Sequence, residues 1–239
     1  PDGRSLHGIN DASIRIGLRL SKDETIVRMP FEVRHMGSKY PIFSFDFTGA
    51  KRGVLPASYD YLRLEGRMQY RLNLPPIGYS QLMLEGGKIF GKVPYLLLKL
   101  HEGNGTYFYD RYAFSCMNFY EFSSDAWISF FYEHHFNGFL LGRVPLLKKL
   151  NWREVFVFKG VYGTLSARND GSLPNTKAVM LFPVGMSSVE HPYLETGFGI
   201  ENIFRLLRVD CIWRLTHHRA VPGLSIPTFT VNFSLNLKF

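Results

Sequence analysis

The sequence predicts an all-β fold, a transmembrane antiparallel β-barrel, and three observations carry that reading. In the last twelve residues Phe229, Val231, Phe233, Leu235, Leu237 and Phe239 alternate with Thr228, Thr230, Asn232, Ser234, Asn236 and Lys238. A strict period of two is a strand with one apolar and one polar face, and about 9–11 tilted residues of it cross a bilayer's hydrocarbon core. The same alternation recurs at 62–74, longer than the usual strand of about 5–6 residues. Aromatic residues make up 15% of the 239, while mean hydropathy is only -0.06. No run of about 18 apolar residues exists to make a spanning helix, but barrel strands give half their residues to a polar lumen. A long strand of a soluble β-sandwich or lipocalin-like binder is the alternative reading.

The strands follow in order. Ile14, Ile16, Leu18 and Leu20 oppose Ser13, Arg15, Gly17 and Arg19, and Phe43, Phe45 and Phe47 oppose Ser44, Asp46 and Thr48. At 62–74, Leu62, Leu64, Gly66, Met68, Tyr70 and Leu72 share one face, and Arg63, Glu65, Arg67, Gln69 and Arg71 the other. The short turn through Pro75, Pro76 and Gly78 leads into 79–90 as a hairpin. Alternation then lapses over 91–125, through the His101-Glu102-Gly103-Asn104-Gly105 run and an aromatic stretch that includes Tyr107, Tyr109, Tyr112, Phe114, Phe119 and Phe122. A connection of this length is usually functional or disordered, and one so aromatic is expected to be ordered and folded inward. The alternative is that 112–122 forms one further strand.

Alternation resumes with Ile128, Phe130, Tyr132 and His134 against Ser129, Phe131, Glu133 and His135. A basic turn with Lys148, Lys149 and Arg153 precedes a strand at 155–165 containing Gly160 and Gly163, where curvature or close packing is expected. Strands at 194–201 and 207–215 precede the terminal one, giving nine, or ten with the aromatic stretch. Residues 1–239 read as one domain. The opening Pro1-Asp2-Gly3, with no initiator Met or apolar signal segment, reads as a mature form or a fragment. Single-chain bacterial barrels have even strand counts, so nine strands are expected to be the C-terminal part of a longer polypeptide.

Chemistry finds no home in the motifs. Cys116 and Cys211 lack a metal-ligand spacing and are read as packing residues. Members of the pairs His134-His135 and His217-His218 point to opposite faces of a strand, so neither pair chelates, and interfacial or loop histidines are expected. No catalytic, cofactor or metal motif is present, and no enzyme, cofactor or metal is expected. The net charge of +8 is spread along strands instead of clustering on a helix. Nucleic acid is therefore not expected as a partner, and a lumen or lipid headgroups account for the charge. The inner face collects Arg63, Glu65, Arg67, Arg71, Glu85, Glu133, Glu195, Glu201, Arg208, Asp210 and Arg214, with both signs available for cross-strand pairing.

Several longer motifs carry a resemblance. These are residues 100–105, Met117-Asn118-Phe119-Tyr120-Glu121-Phe122, Glu133-His134-His135-Phe136-Asn137-Gly138, residues 144–154, and residues 197–210 with Gly197-Phe198-Gly199-Ile200-Glu201-Asn202. They resemble an uncharacterised family of Bacteroidota outer-membrane proteins, in which a carboxypeptidase-like regulatory domain precedes a C-terminal barrel. That barrel is distantly similar to the bacterial surface antigen and outer-membrane insertase superfamily.

The resemblance implies a sixteen-stranded barrel, of which this chain supplies the C-terminal nine or ten strands. It also implies a long loop folded into the lumen, with an Arg-Gly-Phe-type tip against an acidic wall residue. Arg111, Tyr112 and Phe114 are the nearest match to the tip, with Tyr112 and Ala113 where the pattern has Gly, and Glu133 or Glu195 are the wall candidates. Leu235, Leu237 and Phe239 match the C-terminal assembly signal of such barrels. The resemblance implies a bacterial outer-membrane location and a role in outer-membrane protein assembly, translocation or a larger envelope complex. The implied partners are outer-membrane lipid including lipopolysaccharide, the assembly machinery and other envelope proteins. A passive pore, or an accessory subunit of a transport or secretion complex, is the alternative.

Overall fold

The computed structural model describes residues 9–29, 31–54, 57–172, 178–219 and 225–235. Among the described residues the protein is all-β, with one four-residue α-helix and two three-residue 3-10 turns. In chain order the elements are β1 (Ile14–Leu20), β2 (Glu24–Met29), β3 (Glu32–Ser38), β4 (Ile42–Ala50), β5 (Tyr61–Asn73), β6 (Tyr79–Gly91), β7 (Lys99–Leu100), β8 (Phe122–Ser124), β9 (Ala126–His135), α1 (Pro145–Lys148), β10 (Arg153–Thr164), β11 (Ser187–Ser188), β12 (Tyr193–Ile203), β13 (Leu207–Arg214) and β14 (Phe229–Leu235).

Nine of these strands form one antiparallel sheet in the order β1-β4-β5-β6-β9-β10-β12-β13-β14. They are the nine alternating segments read from the sequence. The sheet is open, with β1 and β14 at its edges. The aromatic stretch adds no tenth strand: 112–122 runs as turns and an isolated bridge at Phe114 until the three-residue β8. Of its aromatics Phe114 and Phe122 pack into a core, which calls for no ladder, while Tyr112, Phe119 and Tyr120 stay exposed. Two features lacked a clear period. One is the β2–β3 hairpin, which prolongs the β1–β4 pair; the other is the small β11-β8-β7 sheet.

Register fixes which residues share a face, because a slip of one would invert every side chain. Phe47 lies opposite Ile16 and Leu64, Phe43 opposite Met68, Phe156 opposite Phe198, and Trp213 opposite Phe229. These side chains form one apolar face that stays bare: Ile16, Phe47, Leu62, Phe90, Ile128, Tyr162, Phe198 and Trp213 are all exposed. The opposite face carries the charged residues; the chain's own connections cover it from β6 to β13, while Arg15 and Arg19 of β1 and Arg67 and Arg71 of β5 stay exposed.

The two ends of the sheet differ. At one, residues 74–78 and 204–206 make short turns beside the longer connections 21–41 and 136–152; at the other, 51–60 and the connections 92–125, 165–192 and 215–228 depart. The connection 92–125 folds back across the charged face. Its Phe114 and Met117 join Met83, Phe131, Val161 and Tyr193 from the strands in a dry cluster, with the Phe114 ring 5.1 Å from Phe131 and 5.3 Å from Tyr193. A cluster of this kind holds the loop through apolar area removed from water.

Candidate functional site

The inner face concentrates ionisable side chains at positions that water does not reach. Glu133 of β9 is 1% exposed, while Lys159 of β10, Glu195 of β12 and Asp210 of β13 are at 0%. An isolated charge at such a position would be prohibitive, so each must be paired. The sequence places these residues on alternate positions of neighbouring strands, and the register brings Lys159 opposite Glu195 and Glu195 opposite Arg214.

Glu133 is the hub. Arg111 of the loop donates from Nε to its Oε2 at 2.7 Å, and Arg208 of β13 donates from Nη2 to its Oε1 at 3.2 Å. The Tyr109 hydroxyl donates to Oε1 as well, and His135 Nε2 lies 3.4 Å from Oε2. Arg208 in turn holds Asp210, with Nε 2.7 Å from Oδ2. Gly199 lies directly across from Asp210 in β12, and a Cβ there would stand 2.2 Å from the Asp210 Oδ1. The glycine therefore makes room for this carboxylate.

Two further anchors fix the loop. Lys159 donates from Nζ to the carbonyls of Asp110 at 2.8 Å and Ala113 at 2.6 Å, beneath the Tyr109 ring. Glu195 accepts the amides of Ser115 at 2.8 Å and Cys116 at 2.7 Å and the Tyr193 hydroxyl at 2.7 Å. Arg214 pairs with Glu121 at 2.6 Å, and Lys99 pairs with Glu85 at 2.9 Å and Glu102 at 2.7 Å.

Burial pushes the loop's titratable groups away from their ordinary values. The His101 ring, buried and bonded to the Ser124 hydroxyl at 2.9 Å, is pushed down to about 3 by desolvation and by neighbouring Lys99. The Cys116 thiol is pushed up to about 12, chiefly by burial and then by the Glu195 charge. Burial, with Glu133 beside it, holds the Tyr109 phenol protonated. Burial works against the Lys99 ammonium, but Glu102 and Glu85 together outweigh it and raise its pKa.

Of the residues singled out in the sequence, Arg111 and Glu133 are brought together. Glu195 instead holds the loop backbone. Tyr112 stands edge-on to Phe131 with ring centroids 6.2 Å apart, and the Phe114 ring is sealed in the apolar cluster. Neither therefore contacts the wall carboxylate as a tip residue would. Leu235 ends β14, opposite Leu207. Leu237 and Phe239 lie outside the described residues. The expectation of interfacial or loop histidines fails for His134 and His135, which are buried strand residues. His134 bonds Ser80 at 2.8 Å and the Ile77 carbonyl at 3.0 Å, and His135 lies 3.2 Å from Glu201. Lys159 and Tyr109 were missed. Lys159 left a readable trace, a lone cation among Val155, Val157 and Val161 on the inward positions of β10.

The loop also reaches the sheet's free edge. The Tyr109 amide donates to the Phe233 carbonyl at 2.7 Å, the Phe233 amide donates to the Tyr107 carbonyl at 2.7 Å, and Asn232 Nδ2 donates to the Thr106 carbonyl at 3.1 Å. Residues 106–109 thus occupy part of the edge of β14.

Among the described residues no group of three or more His, Cys, Asp or Glu is arranged to hold a metal ion. What the arrangement does is mechanical: it fixes an aromatic plug to a charged wall and to a strand edge. No curated protein matches the chain. Residues 7–167, more than half of the chain, match a family described as "Family of unknown function (DUF5686) C-terminal domain", and the chain belongs to that family.

Proposed function

We propose that this chain is part of a bacterial outer-membrane β-barrel, non-enzymatic, that serves in outer-membrane protein assembly, translocation or a larger envelope complex. One observation carries the membrane reading: a nine-stranded sheet exposes a broad apolar and aromatic face, while its charged face is buried from β6 to β13. Water would penalise a bare face of this breadth, which exceeds the patches of a few hundred Å² that soluble monomers tolerate. Lipid removes the penalty. Six of the nine strands are long enough, with 13 residues in β5 and β6, 12 in β10, 11 in β12, 10 in β9 and 9 in β4, against the 9–11 that a tilted spanning strand needs, while β1, β13 and β14 have 7, 8 and 7 described residues.

A sheet with two free edges leaves backbone groups unpaired in lipid, at several kcal/mol each. Closure into a barrel therefore calls for strands beyond these nine, in keeping with the sixteen of the superfamily that the sequence resembles. By the usual rule for such barrels, the end with the 74–78 and 204–206 turns faces the periplasm, and the end with the two longest connections, 92–125 and 165–192, faces outward.

The assembly or translocation role rests on that resemblance and on the loop-to-wall arrangement at Arg111 and Glu133. A passive pore is the second reading. The packed loop argues against it, since residues 91–125 fill the inner face with apolar and paired groups. Partition of the full-length protein into the membrane pellet after carbonate washing, with a heat-dependent shift in electrophoretic mobility, tests the barrel. Recovery in the soluble fraction would reject it. Large single-channel conductance of the purified protein would favour the pore.

A further inference from the structure

At the short-turn end, the connection 136–152 and the turn after β12 line an open cavity of about 530 Å³. Three of its lining residues are cations, Lys148, Arg153 and Arg205, and the others are neutral, among them Asn137, Asn202 and Trp152. Among the described residues no carboxylate lines it. Among the described residues no ion pair joins any of the three cations to an acid. The two nearest acids along the chain are engaged elsewhere: Glu154 accepts the Leu141 amide, and Glu201, opposite Arg153 in the register, lies against His135.

Three uncompensated cations beside amide side chains make a site for an anion with several acceptor oxygens, since guanidinium donors match phosphate geometry. The surroundings narrow its source. Leu146 is 83% exposed and Phe204 86%, and Leu140, Leu150 and Leu206 are exposed as well. They form an apolar fringe around the cationic pocket, and Trp152 is the side chain favoured at a membrane interface. A free phosphate needs no such fringe. An acyl chain does.

We propose that this cavity binds the phosphate of an anionic phospholipid headgroup at the periplasmic rim of the barrel, with Leu146 and Phe204 seated among the acyl chains. The lipid source rests on the membrane reading above; the phosphate chemistry does not.

The test uses the full-length protein in detergent, presented with phosphatidylglycerol, phosphatidylcholine, sn-glycerol 3-phosphate and inorganic phosphate, with bound molecules counted by native mass spectrometry. The variants are K148Q/R205N, which removes two charges and leaves Asn at a left-handed position (Arg205 φ 66°), and the charge-keeping K148R/R205K. The expected result is retention of phosphatidylglycerol over phosphatidylcholine, a loss of roughly tenfold or more in K148Q/R205N, and recovery in K148R/R205K. Unchanged heat-shifted mobility shows that both variants are folded. Equal retention of the two lipids, or undiminished binding to K148Q/R205N, overturns the site. Binding of sn-glycerol 3-phosphate or inorganic phosphate as tight as that of the lipid overturns the lipid source. Failure of the protein to partition into membranes, with sn-glycerol 3-phosphate still captured and lost in K148Q/R205N, rejects the membrane reading and the lipid while leaving the pocket's phosphate chemistry standing.

Discussion

The amide of Tyr109 donates to the carbonyl of Phe233 at 2.7 Å, so a loop from the middle of the chain pairs with the free edge of the last described strand. The same Tyr109 carries its hydroxyl to Glu133, near the short-turn end of β9. The loop leaves β6 and rejoins β8 and β9 at the other end of the sheet, so it travels most of the height of the wall and back. Plug and edge are therefore one element, and disturbing either is expected to disturb both.

Replacing Tyr109 with Pro removes the donor to Phe233 together with the hydroxyl bond to Glu133, so it loosens loop and edge in one step. Amide exchange at residues 231–235 is expected to rise by at least about tenfold, the ratio for loss of a hydrogen bond worth roughly 1.4 kcal/mol. Hydrogen-exchange mass spectrometry of the detergent-solubilised protein reads this directly. Unchanged exchange at Phe233 would show that the edge is protected by something other than the loop.

Glu133 holds Arg111, Arg208 and the Tyr109 hydroxyl in a space without water. E133Q leaves two guanidinium groups short of a carboxylate, and breaking a buried pair in this way costs about 3–5 kcal/mol. Arg111, at the margin of the site with its side chain 37% exposed, should cost less when changed to Gln. The double variant E133Q/R111Q should fall short of the sum of its parts, by about 0.5–3 kcal/mol, because the two groups share one interaction. Urea unfolding in a defined detergent or lipid measures all three, and strict additivity would mean that the 2.7 Å contact contributes nothing.

His101 makes the loop's packing sensitive to acid. In the folded chain its ring takes a proton only near pH 3, whereas in an unfolded chain it does so near pH 6.5. Between these values the unfolded state binds the extra proton, so stability is complete above about pH 6.5 and falls as the pH is lowered towards 3. The slope is at most about 1.4 kcal/mol per pH unit from this one group. H101Q, which keeps a polar atom near the Ser124 hydroxyl, should flatten that part of the curve. Proteolysis of residues 91–125 as a function of pH checks it.

Cys116 and Cys211 should differ sharply towards thiol reagents. Cys116 is buried in the loop with its thiol pushed up to about 12, so almost no thiolate forms at neutral pH. Cys211 lies on the outward face opposite Phe198 and is partly open. A membrane-permeant neutral maleimide should label Cys211 slowly and spare Cys116 until the protein is unfolded. Rapid labelling of Cys116 in the C211S background would mean that the loop does not stay packed.

The sheet was legible because period two is a local property. Each strand declares its own faces, and residues such as Leu64, Met68, Arg67 and Glu133 fell on the expected side. The Arg111 to Glu133 pairing was named through the family resemblance, since nothing local links residues 22 positions apart across a loop. Lys159 and the Tyr109 bond to Phe233 were not read. The first depends on which strand neighbours which. The second depends on backbone groups, whose hydrogen bonding no side-chain pattern reports. The rim cavity was visible only as a basic turn, because Arg205 joins Lys148 through the pairing of β10 with β12.

The membrane reading makes a contrast between faces that a soluble sheet would not share. Met68 lies opposite Phe43 and Leu84 on the apolar face, while Gln69, its neighbour in β5, points inward and reaches Met83. In lipid, M68R is expected to cost roughly 2–4 kcal/mol if the site lies near the midplane, because a guanidinium must find water across hydrocarbon. Q69R adds a charge on the polar side, where Glu65 and Glu85 share the inner face, and should cost much less. The measurement is the yield of heat-modifiable protein in the outer membrane, with both variants expressed at native level. In a water-soluble sheet the difference disappears, since Met68 and Gln69 are both half-buried beside water and either would accept an arginine. The difference between these two substitutions therefore decides which solvent surrounds the sheet.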